Sequence, residues 1–280
     1  MTLEIRDLSI RFGDRLVSHI GSLDLEPGRI VGLVGESGSG KSMTTNAILG
    51  LADRLGATVT GSIRFDGMEL VGASKQVLRA VRGRRIAMIF QSPSSSFHPI
   101  MKVDEVFVRA LRLHGTESRN QARARAEKAV AEMLLPTSVL DRYPHQMSGG
   151  QLQRVAIALA LALDAEVLLA DEPTSALDVT VQAEILALLA QLRDRGRLAV
   201  LLISHDLAAV AEVADTVAVM KSGEMIEQGP TADVIHNPTA DYTRELLAAV
   251  PVLGQKRPGH ANPGDANTGQ PNRQRGCADA

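Results

Sequence analysis

Three short stretches of this sequence carry residues whose types and spacing could do chemistry. The first is Gly35-Glu36-Ser37-Gly38-Ser39-Gly40-Lys41-Ser42, which fills the pattern G-x-x-x-x-G-K-[ST]. Its glycines let backbone N–H groups turn inward around the β- and γ-phosphates of a nucleotide, and a helix beginning at its end adds a positive dipole. Lys41 would set a charge against those phosphates, and the Ser42 hydroxyl would ligate Mg2+. The second stretch is Val167-Leu168-Leu169-Ala170-Asp171-Glu172, an apolar strand that ends in two carboxylates. Asp171, on the strand next to the phosphate loop, would hold Mg2+ through its water shell. Glu172 would orient or deprotonate the water that attacks the γ-phosphate opposite the leaving group. Alone, two acids after an apolar strand read as a solvated strand end; beside a phosphate loop they read as catalytic. The third stretch is Met147-Ser148-Gly149-Gly150-Gln151 at the start of an apolar helix, where serine is a good cap and glycine permits the turn. Such a helix start is an anion site that needs an anion.

The elements that must position these residues follow from periodicity. Leu3–Phe12 alternates as a strand, and Leu23–Leu25 before Pro27-Gly28 reads as a second strand entering a turn. Arg29–Gly35 is nearly continuous in apolar residues, as a strand buried on both faces would be, and it runs into the phosphate loop. Ser42–Leu51 reads as a helix, Gly61–Leu70 as a short hairpin around Asp66-Gly67, and Arg85–Phe90 as another buried strand. From Ser92 to about Leu163 the pattern is helical, over Val103–Leu113, Glu117–Leu135 and Gly150–Leu163. This predicts an inserted helical subdomain at about 92–163. The rhythm then returns to strand Val167–Ala170, helix Val179–Arg193, strand Ala199–Ile203, helix Leu207–Ala214 and strand Thr216–Lys221. Strands alternating with helices predict an α/β fold with a mostly parallel core sheet, preceded by an N-terminal antiparallel β part.

Composition sets the outer bounds. The length of 280 residues suits one α/β domain with an insertion, and 45% hydrophobic against 22% charged residues is an ordinary globular balance. A net charge of −2, no tryptophan and 2% aromatic residues give little purchase on nucleic acid. One cysteine, Cys277, builds neither a disulfide framework nor a multi-cysteine metal site, which fits a reducing cytoplasm. Met1–Arg11 lacks the apolar run of a secretory leader, and the longest apolar run, Ala156–Leu163, is far short of the ~20 residues that span a bilayer. Any membrane role goes through partners. After Gly254 the chain is rich in Pro, Gly, Asn, Gln and Arg, so residues 254–280 are expected to be a disordered tail.

The three chemical stretches, in this order and with a helical insertion between the first and last strands, resemble the ATP-binding-cassette ATPases over about Thr2 to Pro251. The resemblance implies a P-loop NTPase that binds ATP and Mg2+, with residues 2–251 as the ATPase domain. It implies that Ser148, Gly149, Gly150 and Gln151 form the family signature, which reaches the γ-phosphate of ATP held by a second ATPase subunit packed head to tail, in a homo- or heterodimer. Gln91, where the strand Arg85–Phe90 gives way to the insertion, takes the place of the family's metal- and water-sensing glutamine. Ser175-Ala176-Leu177-Asp178 fits the loop that crosses to the other subunit, so Asp178 joins the nucleotide-binding set. His205 fits the switch histidine on the γ-phosphate. Phe12 stands where the family stacks an aromatic ring on adenine; its alternative is a core residue of the first strand.

Tyr143-Pro144-His145-Gln146-Met147-Ser148-Gly149-Gly150, Ala170–Val179 and the stretch from His236-Asn237-Pro238 to Pro251 look like the bacterial peptide/nickel importer ATPases. That likeness implies two transmembrane permease subunits, an extracytoplasmic substrate-binding protein, and a peripheral place on the cytoplasmic face of the inner membrane. One departure leans toward nickel or a metal chelate: Ser96-Phe97-His98-Pro99 after the sensing glutamine. The cassette protein of carbon–phosphorus lyase systems is a close rival reading. Phe97 admits two places, an exposed anchor for a permease helix or a core residue of its own subdomain.

Overall fold

The structure, a computed structural model, describes residues 2–115, 118–175, 177–196 and 198–249. The tail at 254–280, with Cys277, lies outside the described residues.

In chain order the elements are β1 (Leu3–Phe12), β2 (Arg15–Leu25), β3 (Ile30–Gly35), α1 (Lys41–Ile48), β4 (Thr58–Phe65), β5 (Met68–Glu69), α2 (Lys75–Val81), β6 (Ile86–Ile89), α3 (Pro93–Ser96), α4 (Val103–His114), α5 (Arg119–Glu132), α6 (Gly149–Ala162), β7 (Val167–Asp171), α7 (Val179–Asp194), β8 (Ala199–Ser204), α8 (Leu207–Ala211), β9 (Thr216–Lys221), β10 (Glu224–Pro230), α9 (Thr231–His236) and α10 (Asp241–Ala248). The strands form a single sheet in the order β5-β4-β1-β2-β10-β9-β3-β8-β7-β6. β9, β3, β8, β7 and β6 run parallel, as the strand–helix alternation predicts. β1, β2, β4 and β5 pair antiparallel. The two parts join where β10 meets β2, with the His19 N–H donating to the Gly223 carbonyl at 2.6 Å. This is a P-loop NTPase architecture with an N-terminal antiparallel region and, between β6 and β7, an inserted helical subdomain built on α3 to α6.

The parallel strands show why their sequences read as unbroken apolar runs. In β3, Ile30 and Val34 face one core while Val31 and Leu33 face the other. β7 divides in the same way, Leu168 and Ala170 against Val167 and Leu169. Each such buried Val, Leu or Ile side chain stabilises the fold by about 1.5–3 kcal/mol relative to exposure. β1 behaves differently. Its buried residues are Leu3 and Ile5, then Leu8 and Ile10, so the inward parity flips midway. Asp7 takes a left-handed backbone (φ 44°) there, and pairing with β4 shifts register between Arg6 and Ser9, a bulge that returns the apolar face to the core.

The second strand is longer than the three residues its apolar end suggests. Arg15–Ser22 also pairs with β1, and its inward position 18 is a serine whose hydroxyl meets that of Thr44 at 3.1 Å. α2, β10, α9 and α10 have no counterpart among the predicted elements.

Of the two places open to Phe97, the structure takes the interior one. Phe97 is 5% exposed at the end of α3, which packs on α6, whereas nearby Phe90 and Ile100 are 44% and 77% exposed. Phe97→Ala is therefore expected to destabilise the isolated subunit by about 3–5 kcal/mol, read as a lowered melting temperature. An unchanged melting temperature would contradict the packing of α3.

Candidate active site

The phosphate loop connects β3 to α1. At its last glycine the chain turns with φ 99°, and a Cβ on Gly40 would lie 2.1 Å from the Val17 carbonyl oxygen on β2. Both the conformation and the approach exclude a side chain at that position. Lys41, the first residue of α1, is buried and folds back into the loop. Its ammonium donates to the carbonyls of Gly35 and Glu36, both at 2.7 Å, and lies 3.3 Å from Ser39 Oγ. Burial pushes the Lys41 ammonium below the ordinary lysine value, against the opposing charges of Glu172, Asp171 and Glu36.

Asp171 ends β7. The expectation that its strand lies next to that of the phosphate loop is corrected here: β8 stands between β3 and β7. The carboxylate is nonetheless in reach, because α1 begins over the ends of these strands and the Ser42 hydroxyl donates to Asp171 Oδ1 at 2.9 Å. Burial pushes the Asp171 carboxyl up, with the Ser42 hydrogen bond pulling it down and the Glu172 charge pushing it up again. The loop thus buries a cation and an anion at an ionic cost that a phosphate and a metal ion would relieve.

Glu172 follows with a left-handed backbone, φ 46°, which turns its side chain out of the strand direction. Gln91 Nε2 donates to Glu172 Oε2 at 2.8 Å, and His205 Nδ1, just past β8, lies 3.5 Å from Glu172 Oε1. Gln91 and His205, from two other strand ends, therefore meet on the Glu172 carboxylate. Beside them opens a cavity of about 260 Å3, lined by Ser37, Gly38, Gly40, Lys41, Ser42, Gln91 and Glu172. Val17 and Met43 also line it, and neither is marked by any sequence motif; Val17 enters through the part of β2 that periodicity missed.

The remaining predicted residues stand outside that lining. Ser148 caps α6, its side chain accepting from the Gln151 N–H while the Gln151 side chain accepts from the Ser148 N–H. Ser148 and Gly149 are exposed, and Gly150 is packed so closely on α7 that a Cβ would meet Val181 Cγ1 at 2.4 Å. Asp178 caps α7 by accepting from the Val181 N–H at 3.0 Å. Phe12 is 38% exposed at the tip of the β1–β2 hairpin. The structure thus gathers the phosphate loop, Asp171, Glu172, Gln91 and His205 into one site, whose cavity lining includes none of Ser148–Gln151, Asp178 or Phe12. Among the described residues, no helix is long and apolar enough to cross a membrane.

Comparison with known proteins agrees with this geometry. The profile of the family described as ABC transporter matches residues 19–175. The dipeptide transport ATP-binding protein DppD of Escherichia coli (strain K12) is 40% identical over 282 residues, covering 98% of this chain and 86% of DppD. The glutathione import ATP-binding protein GsiA of Salmonella choleraesuis (strain SC-B67) is 45% identical over 248 residues, 86% of this chain but 40% of GsiA. Among solved structures, the dimeric post-hydrolysis state of the ATP-binding cassette MJ0796 bound to ADP and Pi superposes with a TM-score of 0.71 at 27% identity, covering 82% of this chain and 98% of that one. A family match over more than half of the sequence, together with relatives alike over nearly all of it, shows that the chain belongs to the ABC transporter family as an ATP-binding, ATP-hydrolysing subunit.

Proposed function

We propose that this subunit powers a binding-protein-dependent importer for peptides, nickel or a related metal chelate, by hydrolysing Mg-ATP in a head-to-tail dimer. The observation that carries this reading is the separation between the cavity at Lys41 and Glu172 and the exposed, capped helix start at Ser148. Ser148–Gln151 line no part of the cavity at Lys41 and Glu172 in the same chain. A second ATPase subunit, turned head to tail, would bring its Ser148–Gln151 to the γ-phosphate over the first subunit's Lys41, with Asp178 near the seam. The dimeric form described for MJ0796 and the dipeptide and glutathione import described for DppD and GsiA support it.

Within this reading residues 2–251 are one ATPase domain, with residues 92–163 as its helical part, and each site residue has a task. Gly35 and Glu36 lead into the loop, Ser37, Gly38, Ser39 and Gly40 offer backbone N–H groups to the phosphates, and Lys41 leaves the Gly35 and Glu36 carbonyls to meet them. Ser42, Asp171 and Gln91 present hard oxygen donors, and Ser42 and Asp171 already lie within 2.9 Å of each other, a set that suits Mg2+ with retained waters. Bound there, Mg2+ would neutralise charge on the β- and γ-phosphates. Glu172 accepts the proton of the attacking water, Gln91 and His205 orient that carboxylate, and Phe12 lies against the adenine. Two permease subunits and an extracytoplasmic binding protein complete the system, with this chain at the cytoplasmic face of the inner membrane.

The test is co-purification of the tagged full chain from its own cells, followed by uptake of labelled dipeptide and of Ni2+ in a deletion strain. Permease subunits in the complex and loss of uptake are expected. Phosphonate-cleaving enzyme subunits in their place would overturn the importer reading and leave the ATPase intact.

A further inference from the structure

We propose that Tyr242, from the C-terminal segment, is a positioning residue of the phosphate loop, fixing the Gly35–Glu36 peptide on which Lys41 also rests. Tyr242 lies on α10, 206 residues beyond Glu36, and its hydroxyl accepts the Glu36 backbone N–H at 3.1 Å. That N–H belongs to the peptide unit whose carbonyl, on Gly35, accepts from the Lys41 ammonium at 2.7 Å. One peptide plane is therefore held at both ends, by Lys41 on the carbonyl and by Tyr242 on the amide. When Lys41 turns toward a phosphate, the carbonyl loses its holder and Tyr242 keeps the plane from rotating.

Tyr242 is built for such a role. Its side chain is 5% exposed, and the Lys221 ammonium, at the end of β9, stands 4.4 Å from its ring centroid. β9 is the immediate neighbour of β3, with Met220 opposite Gly35, so ring and loop share one support. The segment leading into α10 is fastened in turn to β10. There the Glu227 carboxylate accepts from the Thr239 N–H at 2.7 Å, the Thr239 hydroxyl at 2.9 Å and the Ala240 N–H at 3.1 Å. A chain of contacts from Glu227 through Thr239 and Tyr242 to Glu36 thus makes nucleotide affinity depend on an element outside the nucleotide-binding motifs.

The inference rests on Gly35–Ser42 holding the phosphates, which Lys41→Ala tests separately. Tyr242→Phe removes the hydroxyl and keeps the ring, its packing and the Lys221 contact. Losing one hydrogen bond to the loop is expected to weaken Mg-ATP binding about three- to tenfold. That loss should appear in the calorimetric Kd and in KM for ATP more than in kcat, with the melting temperature held. Glu227→Gln, two contacts further back, should raise KM in the same direction, and the double variant should add little to Tyr242→Phe alone. An unchanged Kd in Tyr242→Phe, in a protein whose Lys41→Ala variant no longer binds ATP, would overturn the positioning role and leave the phosphate loop standing. A fall in melting temperature that fully accounts for the lost affinity would reduce Tyr242 to packing and overturn it too.

Discussion

Glu172→Gln is expected to cut ATP turnover by about a hundredfold or more while ATP binding and the fold persist, because positioned proton transfer is typically worth about 10²–10⁴ in rate. The amide keeps the shape of the side chain but cannot take a proton from water. It also changes what Gln91 and His205 hold: Gln91 Nε2 sits at 2.8 Å from an anionic oxygen that becomes neutral or is replaced by an N–H donor. With hydrolysis blocked, ATP should stay between two subunits, so size-exclusion chromatography of the variant with Mg-ATP should show a persistent dimer. Wild-type phosphate release from Glu172→Gln would remove this carboxylate from the reaction.

Lys41→Ala should abolish tight Mg-ATP binding. The ammonium makes charge-assisted contacts worth about 1.5–3 kcal/mol each, so losing two weakens affinity by about a hundredfold or more. The same substitution takes the ammonium from the Gly35 and Glu36 carbonyls, of which Glu36 keeps the Ser39 N–H as a donor. A melting curve should accompany the calorimetry: affinity lost at a retained melting temperature assigns the effect to the phosphates. Near-unchanged affinity would sink the phosphate-loop assignment.

The parts of the site that are legible in the sequence are those where backbone geometry admits few residue types. A glycine is required at position 40 by a carbonyl 2.1 Å from its missing Cβ, and a serine with a glutamine three residues on marks the start of α6. The doubly buried strands are legible too, since both faces demand apolar residues. What escapes is set by long-range packing. Ser18 occupies an inward position on β2 because Thr44 offers a hydroxyl partner, and that polar residue hides the strand's alternation. Phe97 could be placed inside or outside until α3 was seen against α6. Tyr242 carries no local sign of its task, since its partner is a backbone amide 206 residues away. The strand order fares likewise: inserting β8 between β3 and β7 changes nothing in the periodicity of any of the three.

The central place of β3 in the sheet bears on how the protein comes off the ribosome. This strand is among the first made, yet both of its neighbours, β8 and β9, come from the far side of the helical insertion, and the Ile30 N–H finds its Asp215 acceptor 185 residues later. Until synthesis passes β8, a strand apolar on both faces has no partner on either edge, its second edge waits for β9, and pairing at such sequence separation is slow. The antiparallel strands β1, β2 and β4 are complete within the first 65 residues and can close early. A nascent chain halted before β8 should therefore hold an ordered hairpin region beside an exposed, aggregation-prone β3. Nucleotide capture would then wait for β8 and β9, long after the loop itself is made.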